Sequence, residues 1–209
     1  MPQVSCSQLI SVAREGTGLV SFPTDTVPAL ATRPDRAEMI FETKQRSKTK
    51  PLILMGATAE DLWPYVQGSS EEITIWSNLV QEHWPGALTL VLPASDRIPT
   101  AMNPLSPDTL GIRVPNSAIA RHILAQTGPL ATTSVNRSGE PALMTLAAIN
   151  ATFPAILTLT PEELKELGQS FSESNDFTPS FGVPSTVVQW TTDGWIVLRQ
   201  GSVALPLDE

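Results

Sequence analysis

Four of the chain's 13 lysines and arginines, Lys44, Arg46, Lys48 and Lys50, stand at alternate positions within seven residues. In an extended segment a period of two aims all four the same way. Such a row matches a polyphosphate, with Arg46 able to make a two-pronged contact and the lysines acting as point charges. It equally describes a lysine-guarded edge strand or a solvated face. Arg113 lies inside the apolar run TLGIRVP, where a cation is costly to bury unless it meets an anion. That anion is either a carboxylate of this chain or one brought by a ligand. Residues 21–30, SFPTDTVPAL, leave an apolar strand and present Thr24, Asp25 and Thr26 at its end, where open α/β sheets hold ligands. An ordinary turn in which Asp25 caps backbone N–H groups reads the same way. Residues 132–141, TTSVNRSGEP, place four hydroxyls, an amide and a glycine after a strand, suited to gripping phosphate or carboxylate oxygens or to forming a turn. Late in the chain Ser185 and Thr186 open one strand of a pair that Arg199 closes, so the two ends can meet.

The elements that must carry these groups follow from periodicity. Ser5 or Ser7 caps a helix with Leu9, Ile10, Val12 and Ala13 on one side, ended by Gly16 and Gly18. Strands are expected at 19–22, 51–55, 87–92, 109–114, 129–133 and, more weakly, 155–159. Helices are expected at 34–44, after the Ser69/Glu72 capping box, and at 116–126 with Asn116 as cap. A short acidic helix, PEELKELG, starts at 161. Residues 168–184, rich in Ser, Pro and Gly, read as a mobile surface loop, either a plain connector or a lid. Asp193-Gly194 between β-branched runs marks a terminal hairpin. Strands interleaved with helices plus this hairpin give an α/β fold with mixed strand directions.

Composition excludes several classes. With 13 cations against 21 acids the net charge is −8, and 41% of the 209 residues are hydrophobic. That is enough for one well-packed domain without staples. One cysteine and two histidines leave no disulfide framework, zinc cluster or heme attachment. No run approaches the roughly 18 apolar residues of a membrane span, and no leader pattern opens the chain, so a cytoplasmic protein is expected. An acidic balance and 6% aromatic residues speak against an RNA-binding module, which would need phosphate neutralisation and stacking platforms. There is no GxxxxGK[ST], no dinucleotide fingerprint after Gly16-Thr17-Gly18, and no GxSxG elbow. His83 and His122 read as structural.

Taken in order, FPTDTV at 22–27, KQRSKTKPL at 44–52, WPGALTLVL at 84–92, GIRVP at 111–115, SVNRSGEP at 134–141, STVV at 185–188 and LRQG at 198–201 resemble the YrdC family of threonylcarbamoyl-AMP synthases. The resemblance covers nearly the whole chain and implies one YrdC-like domain over 1–209, without the second domain of the family's longer members. It implies a twisted mixed sheet flanked by helices around a large open cavity. The implied reaction joins L-threonine, bicarbonate and ATP into threonylcarbamoyl-AMP and pyrophosphate with Mg²⁺. Other proteins then transfer the group to tRNA, and no stable nucleic-acid contact of this chain's own is expected. The family pattern puts L-threonine near Thr26, Arg113, Thr132 and Ser185. It puts ATP near Lys44, Arg46, Lys50, Thr109, Ser134, Asn136, Ala142 and Arg199.

The chain departs from that pattern at Pro28-Ala29, where the family has Tyr-Gly, which removes a backbone donor and an aromatic wall. Gln45 and Ser47 replace Gly and Pro, Val135 replaces Ala, and Gln200 replaces Pro. Met55 stands where many members have histidine, and Ala142 where many have a serine that touches the nucleotide. The Pro28-Ala29 departure leaves open a paralogue on the same fold with a different carbamoyl-adenylate chemistry.

Overall fold

The computed structural model describes residues 3–171 and 182–205. The helices are α1 (Cys6–Glu15), α2 (Glu38–Lys44), α3 (Ser70–His83), α4 (Ala118–Thr127), α5 (Leu146–Thr152) and α6 (Pro161–Phe171). The strands are β1 (Gln3–Val4), β2 (Val20–Phe22), β3 (Ala29–Thr32), β4 (Ile53–Met55), β5 (Leu88–Pro93), β6 (Thr109–Arg113), β7 (Leu130–Ser134), β8 (Leu157–Leu159), β9 (Thr186–Thr191) and β10 (Gly194–Arg199). They form one sheet in the order β1-β8-β2-β3-β7-β4-β6-β5-β9-β10. Its directions are mixed: β4 runs parallel to β6 and β5 to β9, while β7 is antiparallel to both β3 and β4.

Local chemistry sets the helix ends where the sequence signals them. Ser5 accepts from the Gln8 N–H, and Gly16 closes α1 in the left-handed region. Ser69 and Glu72 form the reciprocal capping box of α3. The cap of α4 is Ser117, not Asn116: the Ser117 hydroxyl accepts from the Ala120 N–H, one residue later than the sequence suggests. Pro34 opens a single 3₁₀ turn before α2, so residues 34–44 are not one continuous helix. Three elements escape the periodicity: β1 and α5 are short, and β3 directly follows Pro28. The acidic helix α6 continues to Phe171, so residues 168–171 are helical, not loop; 172–181 of the expected loop lie outside the described residues.

The two faces of the sheet bury two clusters, because successive strand side chains point opposite ways. Leu54, Leu88, Leu90, Leu92, Leu110, Ile112 and Val188 pack on one face with α2, α3 and α5. On the other, α1, α4 and α6 cover Val20, Phe22, Ala29 and Ala31. They stop short of the β4-β6-β5-β9 part of that face. There the alternating positions are Ile53, Thr89, Gly111, Arg113 and Thr132, and they line a cavity.

The hairpin β9-β10 is tied back by one side chain. The Thr186 hydroxyl donates to the Val203 carbonyl and accepts from the Gly201 and Val203 N–H groups. Gly201 passes so close that a Cβ there would lie 2.2 Å from the Pro184 carbonyl oxygen. Replacing Thr186 with isosteric valine leaves three backbone groups without their partner. We expect Thr186→Val to lower unfolding free energy by about 1–3 kcal/mol in urea titration, and a change below about 0.5 kcal/mol would show that the tie is dispensable.

Candidate active site

The uncovered half-face opens into a cavity of about 820 Å³. At one end Arg113, the last residue of β6, is 4% exposed and fixed by three hydrogen bonds to two segments. Its Nε donates to the Gly86 carbonyl at 2.9 Å, Nη1 to Thr26 Oγ1 at 2.9 Å, and Nη2 to Asp25 Oδ1 at 2.6 Å. The anion that Arg113 requires is thus a carboxylate of the chain itself. Five guanidinium N–H groups less these three leaves one on each terminal nitrogen. Burial lowers the Arg113 pKa, and Asp25 opposes that shift. Thr24 shapes the turn, donating to the Val27 carbonyl and accepting from the Thr26 N–H. Thr132 lies beside this end and donates to the Ile53 carbonyl. Ser185, its hydroxyl 2.9 Å from Thr89 Oγ1, receives Arg199 on its carbonyl and hydroxyl. The two ends of the hairpin do meet. Burial lowers the Arg199 pKa, and the nearby Arg113 charge adds to it.

The basic row is not extended. Lys44 ends α2, and Gln45 turns the chain in the left-handed region with φ 49°. That conformation suits the glycine of the family pattern better than a side chain. The four cations therefore diverge. Arg46 turns to the cavity and donates to the Lys50 and Pro51 carbonyls. Lys48 pairs with Glu38 at 2.9 Å on the surface, and the Lys50 side chain does not line the cavity. Lys44 is 1% exposed and reaches behind the wall to Thr133 Oγ1 at 3.3 Å, Asn136 Oδ1 at 2.9 Å and the Ser134 carbonyl. Asn136 also accepts from the Ser134 hydroxyl and donates to the Arg137 and Glu140 carbonyls. Lys44 thus fastens the 134–140 loop from below.

All the residues to which the resemblance assigned a substrate line this one cavity, except Lys44 and Lys50. Thr109 does so while held by Asn103 Nδ2, and Ala142 sits on the rim of the 134–140 loop. Pro28 and Ala29 are part of the lining as well, so the departure from Tyr-Gly falls on the cavity wall. Sequence reasoning did not single out Thr89, Asn103, Glu140 or Gln189, which also line it. Thr89 alone gave a signal, as a polar residue in an apolar strand. Asp25 was legible only as a turn residue or strand-end ligand, and its pairing with Arg113 lies 88 positions away.

The family model for Sua5/YciO/YrdC, described as "Telomere recombination", matches residues 12–201. A threonylcarbamoyl-AMP synthase of Pyrococcus abyssi is 33% identical over 200 residues, 94% of this chain and 53% of that protein. One of Bacillus subtilis is 30% identical over 210 residues, 97% of this chain and 54% of that protein. The chain spans about half the length of these two relatives. The crystal structure of P. abyssi Sua5 complexed with L-threonine matches with a TM-score of 0.77 at 28% identity, covering 95% of this chain and 55% of that one.

Burial, then the charges of Arg46 and Lys50, push the Lys44 ammonium down to about 7 from 10.5. The unfolded chain keeps that proton until pH 10.5, so between these values unfolding takes up a proton and stability rises with pH. We expect the stability of the wild type relative to Lys44→Met to increase from pH 7 toward 10.5 in urea titrations. A difference independent of pH would show that Lys44 stays charged throughout.

Proposed function

The chain belongs to the Sua5/YciO/YrdC family, and from that premise we propose that it joins L-threonine, bicarbonate and ATP into threonylcarbamoyl-AMP and pyrophosphate. The product would serve threonylcarbamoyl transfer to tRNA by other proteins, in the cytoplasm and without a stable nucleic-acid contact of this chain's own. No helix among the described residues is long and apolar enough to cross a membrane.

The observation that carries this reading is the division of one cavity between two kinds of charge. Arg113, with Thr26, Thr132 and Ser185 around it, offers a fork for an amino-acid carboxylate. Arg46 and Arg199 face the same space with guanidinium donors suited to phosphates, and Ser134 and Asn136 line it beside them. The chemistry asks for no protein nucleophile. The threonine amine condenses with bicarbonate to a carbamate, releasing water. A carbamate oxygen then attacks the α-phosphorus, and pyrophosphate leaves with the electron pair of the broken P–O bond. The protein's part is to hold both substrates in one place and to meet the spreading phosphate charge with fixed cations. Lys44 contributes by keeping the 134–140 loop in register with Arg46. Mg²⁺ would arrive with ATP on its phosphates and water. A lining whose one carboxylate among the described residues is Glu140 suits that mode.

Pyrophosphate release from ATP should require both L-threonine and bicarbonate, with serine as the control. Release without threonine would move the reading to a paralogue with different carbamoyl-adenylate chemistry, and a salt-dependent RNA gel shift without ATP turnover would move it to a binding module. Arg113→Ala should cut kcat/KM for threonine about 100-fold or more while sparing ATP affinity. Arg46→Ala should weaken ATP about 10- to 100-fold. Equal loss of both substrates in either variant would refute the division.

A further inference from the structure

Three side-chain amides line the cavity, and two of them are spent inside the protein. Asn103 Nδ2 donates to the Thr109 carbonyl and hydroxyl, and Asn136 is engaged at both of its ends. Gln189 is the third, and its amide meets no hydrogen-bonding partner among the described residues. It stands at the end of a row that crosses four strands: Gln189 of β9 pairs with Val91 of β5, Val91 with Gly111 of β6, and Gly111 with Ile53 of β4. All four face the cavity, and apart from Gln189 the row is apolar. Two residues back along β9, Val187 pairs with Arg199, so about 7 Å of strand separates the free amide from the row of an arginine suited to phosphate. Packing gives no reason for Gly111. A Cβ there would lie 3.4 Å from a side-chain carbon of Ile53 and 3.7 Å from one of Thr89, both ordinary contacts. Glycine within a strand, where packing does not demand it, marks a close approach by something else. At the rim Leu105 and Leu198 line the cavity while 63% and 52% exposed, apolar surface that a bound ring would take out of water.

We propose that the adenine of ATP lies on Val91 and Gly111 and that Gln189 selects it by its 6-amino group. An apolar floor with one free amide at its edge holds a flat ring and fixes its orientation. The amide offers one acceptor and one donor side by side: Oε1 accepts from the 6-amino group while Nε2 donates to the adjoining ring nitrogen. A purine with hydrogen at position 6 keeps the ring nitrogen but leaves Oε1 unpaired. The inference rests on the two-substrate reading above and names the residue that chooses the base.

Calorimetric titration of the wild type, Gln189→Ala and Gly111→Ala with ATP and with purine riboside 5′-triphosphate, which lacks the amino group, tests it. The wild type should bind ATP about tenfold more tightly than the analogue. Gln189→Ala should bind the two within about twofold of each other, because the partner of the amino group is gone. Gly111→Ala should weaken both about tenfold by filling the floor, while its urea midpoint does not fall. Equal loss of both nucleotides in Gln189→Ala, or a Gly111→Ala that binds ATP as the wild type does, would overturn the proposal. If Gln189→Ala does not fold, the wild type still decides: equal affinity for the two nucleotides, or none for either, overturns it. A wild type with the tenfold preference but no pyrophosphate release dependent on threonine and bicarbonate would sink the two-substrate reading and uphold Gln189. Release that requires both, with equal affinity for the two nucleotides, would do the reverse.

Discussion

The burial of Arg113 governs the layout of the molecule. A guanidinium buried at the end of a central strand must be given acceptors, because leaving it unpaired would cost several kcal/mol. Two segments distant in sequence supply its acceptors, the 25–26 turn after β2 and the Gly86 carbonyl before β5, while strand pairing sets β6 next to β4. The helices α1, α4 and α6 cover the same face only as far as its apolar positions extend. The cavity is what remains where the face turns polar, at Thr89, Gly111, Arg113 and Thr132. The site and the gap in the helical layer therefore have one cause.

The far side of the cavity is held through hydrogen bonds rather than through a wide apolar core. Ser185 and Arg199 close it, and both belong to a hairpin whose position depends on Thr186, Gly201 and the contact of Trp190 with Trp76 and Trp195. Glu72 joins these two levels. One carboxylate oxygen completes the capping box of α3, while the other accepts from the Trp190 indole. The cap of a helix on one face and the strand that carries a cavity residue thus share a side chain. Beneath the cavity floor Lys44 plays the matching part. Three acceptors on two sides of the 134–136 turn converge on one buried ammonium, which makes the loop's shape conditional on the end of α2.

What could be read along the chain were the features set by near neighbours. The Ser69/Glu72 cap, the Gly16 stop, the alternation in β5 and β6, and the Asp193-Gly194 turn depend on residues within a few positions, and all form as their local chemistry directs. The requirement that Arg113 find an anion was equally legible, because burying a cation is costly in any fold. The ordered run of motifs from 22 to 201 identified the family and with it the residues to place around the cavity. Tertiary structure alone decided the rest. The alternation of Lys44, Arg46, Lys48 and Lys50 promised one charged row, yet the left-handed turn at Gln45 sent one inward, one to the cavity and one to Glu38. Asp25 became the partner of Arg113 only because β2, β3, β7, β4 and β6 lie side by side in that order. A one-dimensional pattern fixes which way a side chain points from its own strand. Which strand lies next to it is settled by pairing and burial across the whole sheet, and the contacts that build this cavity are of that second kind.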